Sequence, residues 1–225
     1  MFGNAAPTPY DLRFSLFGIP VRVHPLFWVF SAIMGWVPRD YKLTCLWVAC
    51  VFVSILVHEL GHALTAKYYR WGPEIVLYVF GGYASYVPVW GHSTARSILV
   101  TFAGPGAGFI LYAIVRGIHL ALTAQGVHVP GYVAWVIVQM EFINLWWGLM
   151  NLLPVYPLDG GRITSAALSH WRRYDGDQIA LKLSLVTAIL VAFVAFRFGE
   201  TYAAILFGSL AFSNLETLQS GGRIR

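Results

Sequence analysis

Val57-His58-Glu59-Leu60-Gly61-His62-Ala63 puts three ionisable groups into a chain that runs almost wholly apolar from Leu43 to Val57. On a helix, His58 and His62 stand at i and i+4, so both imidazoles leave one face and can grip one metal ion. Glu59 is the next residue after His58, close enough to act as general base on water activated there. A pattern this short arises by chance in soluble helices. Inside hydrocarbon, charged groups are costly, and a functional role becomes the first hypothesis.

The elements that must hold these groups are membrane spans. Of 225 residues, 58% are hydrophobic and 11% charged, against roughly 25% charged in soluble domains. Nine Trp and twelve Tyr suit side chains that sit at a bilayer interface. The net charge of +5 comes without any basic run longer than Arg172-Arg173, which argues against nucleic acid and for topology signals. Cys45 and Cys50 lie off a common helical face and read as reduced packing residues. No secretory leader is expected, because the apolar run near residue 25 lacks a short charged region before it and a cleavage site after it.

Residues 1–24, with Pro7, Pro9, Gly18 and Pro20, read as a cytoplasmic or interfacial tail with a short extended piece at Ile19–Val23. Six apolar segments follow: Leu26–Val37, Leu43–Ala66, Ile98–Ala124, Tyr132–Leu153, Ile179–Phe198 and Thr201–Phe212. The first is short for a span of about 20 residues. Between spans two and three, residues 73–88 look like two β pieces joined at Gly81-Gly82. The expectation is an all-α polytopic membrane protein of about six transmembrane helices, with a small membrane-associated β-hairpin, forming one domain over 1–225. Lys and Arg gather on the side of both termini, which predicts cytoplasmic termini. His58, nine residues before Lys67, would then lie roughly 13 Å inside that face.

Two histidines do not complete a catalytic zinc site, which takes three protein ligands and an open position. Glu141 in the fourth span and Asp159 just beyond it are the carboxylates at a suitable depth. Asp159 closes the stretch Asn151-Leu152-Leu153-Pro154-Val155-Tyr156-Pro157-Leu158-Asp159-Gly160-Gly161, where two prolines break the helix and two glycines permit a sharp reversal. The H-E-x-x-H pattern followed by N-x-x-P-x-x-P-x-D-G resembles the site-2 protease family of intramembrane zinc metalloproteases. Phe102-Ala103-Gly104-Pro105, Gly81-Gly82 and His24-Pro25 add to the resemblance, which is firm over roughly residues 50–165. It implies His58, His62 and Asp159 as Zn2+ ligands, Glu59 as general acid/base, and segments 43–66 and 132–165 as carriers of the site. Asn151, at the position of the family's Asn, is the candidate donor to the oxyanion, with an interhelical hydrogen bond as its other role.

Glu141, Asn144 and Asn151 fall near one face of the fourth span, and Glu141 reads as a structural or water-path group. The edge of the 73–88 segment, at Val76, Val79, Gly81 and Gly82, could pair with an extended substrate through main-chain hydrogen bonds; a plain structural hairpin is the other reading. Gly104 and Gly108 make a small-xxx-small pair for helix packing. His24, His92, His119, His128 and His170 lack ligand spacing. The resemblance implies hydrolysis of peptide bonds within or near single-span membrane proteins, an anti-sigma factor or another tethered regulator among them, in a bacterial or archaeal cell membrane. A regulatory partner is compatible with this reading. The competing readings are a non-proteolytic metal-binding membrane protein or transporter, and a silent scaffold; an intact Glu59 argues against the last.

Overall fold

The computed structural model describes residues 6–79, 81–88, 93–172 and 174–221. The chain runs β1 (Leu12–Leu16), β2 (Ile19–Val23), α1 (Pro25–Met34), α2 (Tyr41–Tyr68), β3 (Glu74–Tyr78), β4 (Gly81–Ser85), α3 (Thr94–Ala124), α4 (Gly131–Asn151), α5 (Asp159–Trp171), α6 (Gly176–Arg197) and α7 (Thr201–Gln219). All six apolar segments are helices. Among the described residues, α2, α3, α4 and α6 are long and apolar enough to cross a membrane. The shorter α1 is also apolar, whereas α7 carries Ser209, Ser213, Asn214 and Glu216. The chain is a polytopic helical membrane protein with a small sheet.

Two compact units divide it. The first holds the sheet, α1, α2 and the larger parts of α3 and α4, from Ala103 to Gly148. Its sheet has the order β1-β2-β3-β4, antiparallel except for β2 beside β3. Parallel neighbours need a crossover, and α1 with α2 supplies it, so the sheet holds the start of α1 and the C-terminal end of α2, the helix bearing His58. Period-two alternation buries Ile19, Val21 and Val23 of β2. These pack with Phe27, Ile55, Leu56, Ala63, Ile75 and Leu77 into one core. α2 starts where the Asp40 carboxylate accepts from the amides of Lys42 and Leu43, each at 3.1 Å, a normal N-cap.

Residues 6–24 are therefore more than a tail. β1 and β2 form a hairpin whose turn residues, Phe17 and Gly18, have φ of 50° and 68°; Lys67 at the end of α2 donates to the Phe17 carbonyl. Asp11 fastens the hairpin's start. It accepts from the Thr8 hydroxyl (2.6 Å), the Thr8 amide (3.0 Å) and Arg22 (3.1 Å). The Thr8 hydroxyl above all, then the Thr8 amide and Arg22, hold its carboxyl well below the usual range. A lowered carboxylate stabilises the fold at neutral pH, and that contribution is lost as pH falls below the unfolded value near about 3.9.

The second unit holds residues 92–102 and 149–225. Its core is Val155, Ala188, Phe207, Leu210 and Ala211. α5 was not anticipated. Gly160 and Gly161 do not reverse the chain; they form the first turn of this amphipathic helix, directly after Asp159. A Cβ at Gly160 would overlap the Leu152 carbonyl, and one at Gly161 would run into the backbone of Val155 and Tyr156. Glycine is required there for close packing, not for a left-handed bend.

Candidate metal centre

His58, Glu59 and His62 are all buried within α2, with Glu59 only 5% exposed. The Nε2 atoms of His58 and His62 approach to 3.2 Å. Two nitrogens bound to one tetrahedral zinc at 2.0–2.1 Å stand about 3.3 Å apart, so this half of the site fits the metal. Glycines let the neighbouring helix pack closely on this half-site. Gly104 of α3 faces the His62 ring so closely that a Cβ there would overlap Nε2. Gly61 does the same for helix contact, since its Cβ would collide with the Ala103 carbonyl. The glycine pair read as a packing motif thus divides: Gly104 makes space for a candidate ligand, while Gly108 meets nothing closer than Asn144 O at 3.7 Å.

The sheet reaches the same groups. A Cβ on Gly82 would stand 2.8 Å from Glu59 Cγ and 2.7 Å from Leu77 Cδ2, so glycine lets β4 lie against the candidate base. Gly81 opens β4 with φ of +136°, and the two glycines begin the strand instead of forming its turn. One substrate-binding expectation is corrected. Val76 lies in β3, paired with Arg22 on one side and Tyr83 on the other, so it has no open edge. Val79 lies outside both strands. Among the described residues, β4 is the strand nearest α3 in sequence and the edge of the sheet on that side.

Glu141 accepts from Arg116 at 3.2 Å and meets His119 Nδ1 at 2.7 Å. This pairing meets the requirement that a carboxylate in a span find partners, and it makes Glu141 a poor third ligand. His119 therefore has a partner that its spacing did not announce. Asn144 is buried and donates to Ser54 Oγ at 2.9 Å and Met140 O at 2.8 Å, which ties α4 to α2 one turn before His58. Glu141 and Asn144 engage different helices and do not act as one face. His24 caps α1, its Nδ1 accepting from Leu26 N at 3.1 Å. His170 Nδ1 stands 3.5 Å from Thr94 Oγ1, and His92 falls outside the described residues.

In the second unit, Asn151 ends α4 and Asp159 begins α5, both partly buried. The loop between them is fixed from two sides. The Tyr156 amide donates to Ser184 Oγ at 2.8 Å, and Asn214 Nδ2 donates to Tyr156 O at 2.8 Å. Ser184 and Asn214 were not foreseen as supports, although a polar residue amid the apolar runs of α6 and α7 was a visible signal.

Residues 126–195 match the description "Peptidase family M50". The chain is 33% identical over 166 residues to a zinc metalloprotease, MJ0392, of Methanocaldococcus jannaschii, covering 71% of this chain and 46% of that protein. It is 26% identical over 186 residues to stage IV sporulation protein FB of Bacillus subtilis, covering 77% and 56%. The chain spans less than half the length of the first curated relatives it matches. Its fold is that of the site-2 protease from Methanocaldococcus jannaschii, with TM-score 0.61 and 24% identity over 93% of this chain and 95% of that one. The two sequence patterns, the matched region and these relatives point together to the site-2 protease family, and the shared fold agrees with that likeness.

Proposed function

We propose that this chain is a zinc metalloendopeptidase that cleaves peptide bonds within or near the spans of single-pass membrane proteins. The observation that carries the reading is the 3.2 Å convergence of the His58 and His62 Nε2 atoms beside buried Glu59. The donor set is His58, His62 and Asp159, two imidazoles and a carboxylate, the composition of several catalytic zinc sites. Zinc held there supplies Lewis-acid polarisation of the scissile carbonyl and acidifies water. Glu59 takes the proton of the attacking water and returns it to the leaving amide nitrogen. Asn151 donates a hydrogen bond to the oxyanion. One membrane-embedded domain carries all of these roles.

The expected result with the purified chain is one zinc per protein and cleavage of a single-span substrate that stops with phenanthroline and returns with Zn2+. Asp159→Ala loses the metal, Glu141→Gln keeps it, and Asn151→Ala keeps it while slowing turnover by about 10²–10³. Absence of zinc sinks the reading. Zinc without any peptide cleavage transfers it to a non-proteolytic metal-binding protein or transporter. The substrate class, including anti-sigma factors and other tethered regulators, follows the resemblance alone.

A substrate must be unwound before its peptide bonds are accessible, and β4 offers it an extended partner. Gly82 brings that strand against Glu59, so main-chain pairing along β4 would deliver a peptide beside the base. Proline removes the donor such pairing needs. Proline substitutions at alternate positions flanking the scissile bond should cut cleavage at least tenfold, and at the intervening positions much less. Uniform tolerance to proline would end the strand-addition idea.

A further inference from the structure

Among the described residues, Arg116, His119 and Glu141 form an ionic cluster inside the spans, apart from the groups assigned to catalysis. Glu141 is ten residues from either end of α4, about 15 Å from each, in a bilayer core about 30 Å thick. Arg116 is eight residues from Ala124, about 12 Å from the end of α3, and helical side chains lean towards the N-terminus, away from that end. Both oxygens of Glu141 are engaged, one by Arg116 and one by His119. Its side chain is 15% exposed, whereas that of Arg116 is 45% exposed. A guanidinium has five N–H donors, and only one bond to it, from Nη1, is found among the described residues. The cluster sets two bases against one carboxylate.

We propose that the α3 face around Arg116 docks a transmembrane helix of another protein that carries a carboxylate at mid-bilayer depth. A half-exposed guanidinium in hydrocarbon is costly until an acceptor reaches it, and a carboxylate meets it with two parallel bonds. Glu141, at the middle of α4, sets the depth of the guanidinium bonded to it, about 15 Å from either end of that helix, which places it beyond a lipid phosphate at the bilayer surface. The surrounding face is shaped for a helix: Ala113, Gly117 and Ala121 are exposed at i, i+4 and i+8. A Cβ at Gly117 would meet nothing within 4 Å, so a partner backbone can come close enough to bring its acid to Arg116. The site is separate from the proposed metal centre and does not depend on it.

The test uses the full chain in phosphatidylcholine vesicles and a labelled Leu/Ala transmembrane peptide with one central Glu, its binding read by energy transfer. The Glu peptide should bind at least tenfold more tightly than the all-apolar peptide, and Arg116→Leu should abolish that preference. A photo-cross-linker in place of Leu120 in the otherwise unaltered chain should capture the Glu peptide, and one in place of Leu190 on α6 should not. That second measurement decides the matter even if Arg116→Leu does not fold. Equal binding of the apolar or Gln peptide overturns the proposal, as does a preference that survives Arg116→Leu. Loss of capture on adding phosphatidylglycerol overturns it too, because a lipid phosphate would then be the occupant. The readout is binding, so failure leaves the metalloprotease reading untouched.

Discussion

Glu59→Gln should lower the proposed peptide hydrolysis by about two to four orders of magnitude, the usual share of a positioned proton carrier, and should leave zinc content unchanged. The amide keeps the shape of the carboxylate but cannot accept the proton of the attacking water. Glu59 is buried beside two imidazoles whose Nε2 atoms already converge, so the substitution spares the ligand geometry. A folded, metal-loaded, inactive protein should hold a single-span substrate intact, and mass spectrometry of co-purifying membrane proteins would identify it. Metal loss in the Gln form would make Glu59 a structural residue. Retained turnover would place the base elsewhere.

The sequence displayed the metal half-site almost completely, because i and i+4 spacing on a helix is a local property. Helix positions were equally plain, since long apolar runs admit few other structures in hydrocarbon. The sheet was less legible. Leu12–Leu16 and Ile19–Val23 both alternate with period two, yet Pro20 argues against a strand with neighbours on both sides, and β2 has them in β1 and β3. Val76 looked like an open edge because only the local hairpin was in view; its parallel neighbour Arg22 lies 54 residues earlier in the chain. The Glu141 pairing joins residues 22 and 25 positions apart on two helices, and no periodicity in either helix announces it. Local chemistry could be read directly, and contacts that depend on the crossover or on helix register could not.

Gly104 carries the other large effect. Gly104→Ala should reduce zinc affinity at least tenfold, within the 10–100-fold range for changes to the support of a ligand, and activity should fall with it. The added methyl would occupy the position of His62 Nε2. Either the ring swings away from its partner on His58 or α3 retreats from α2. Retreat is opposed at the next contact, where Gly61 already meets the Ala103 carbonyl too closely for a Cβ. Gly108→Ala is the control. Its new methyl would rest at 3.7 Å from Asn144 O and 4.0 Å from Asn144 Oδ1, ordinary contact, so metal content and turnover should stay near the starting values. Metal titration of both variants in detergent, with elution profiles to confirm folding, separates the outcomes. If the two alanines behave alike, the spacing of this pair serves helix packing only, and the space beside His62 is not what admits the metal.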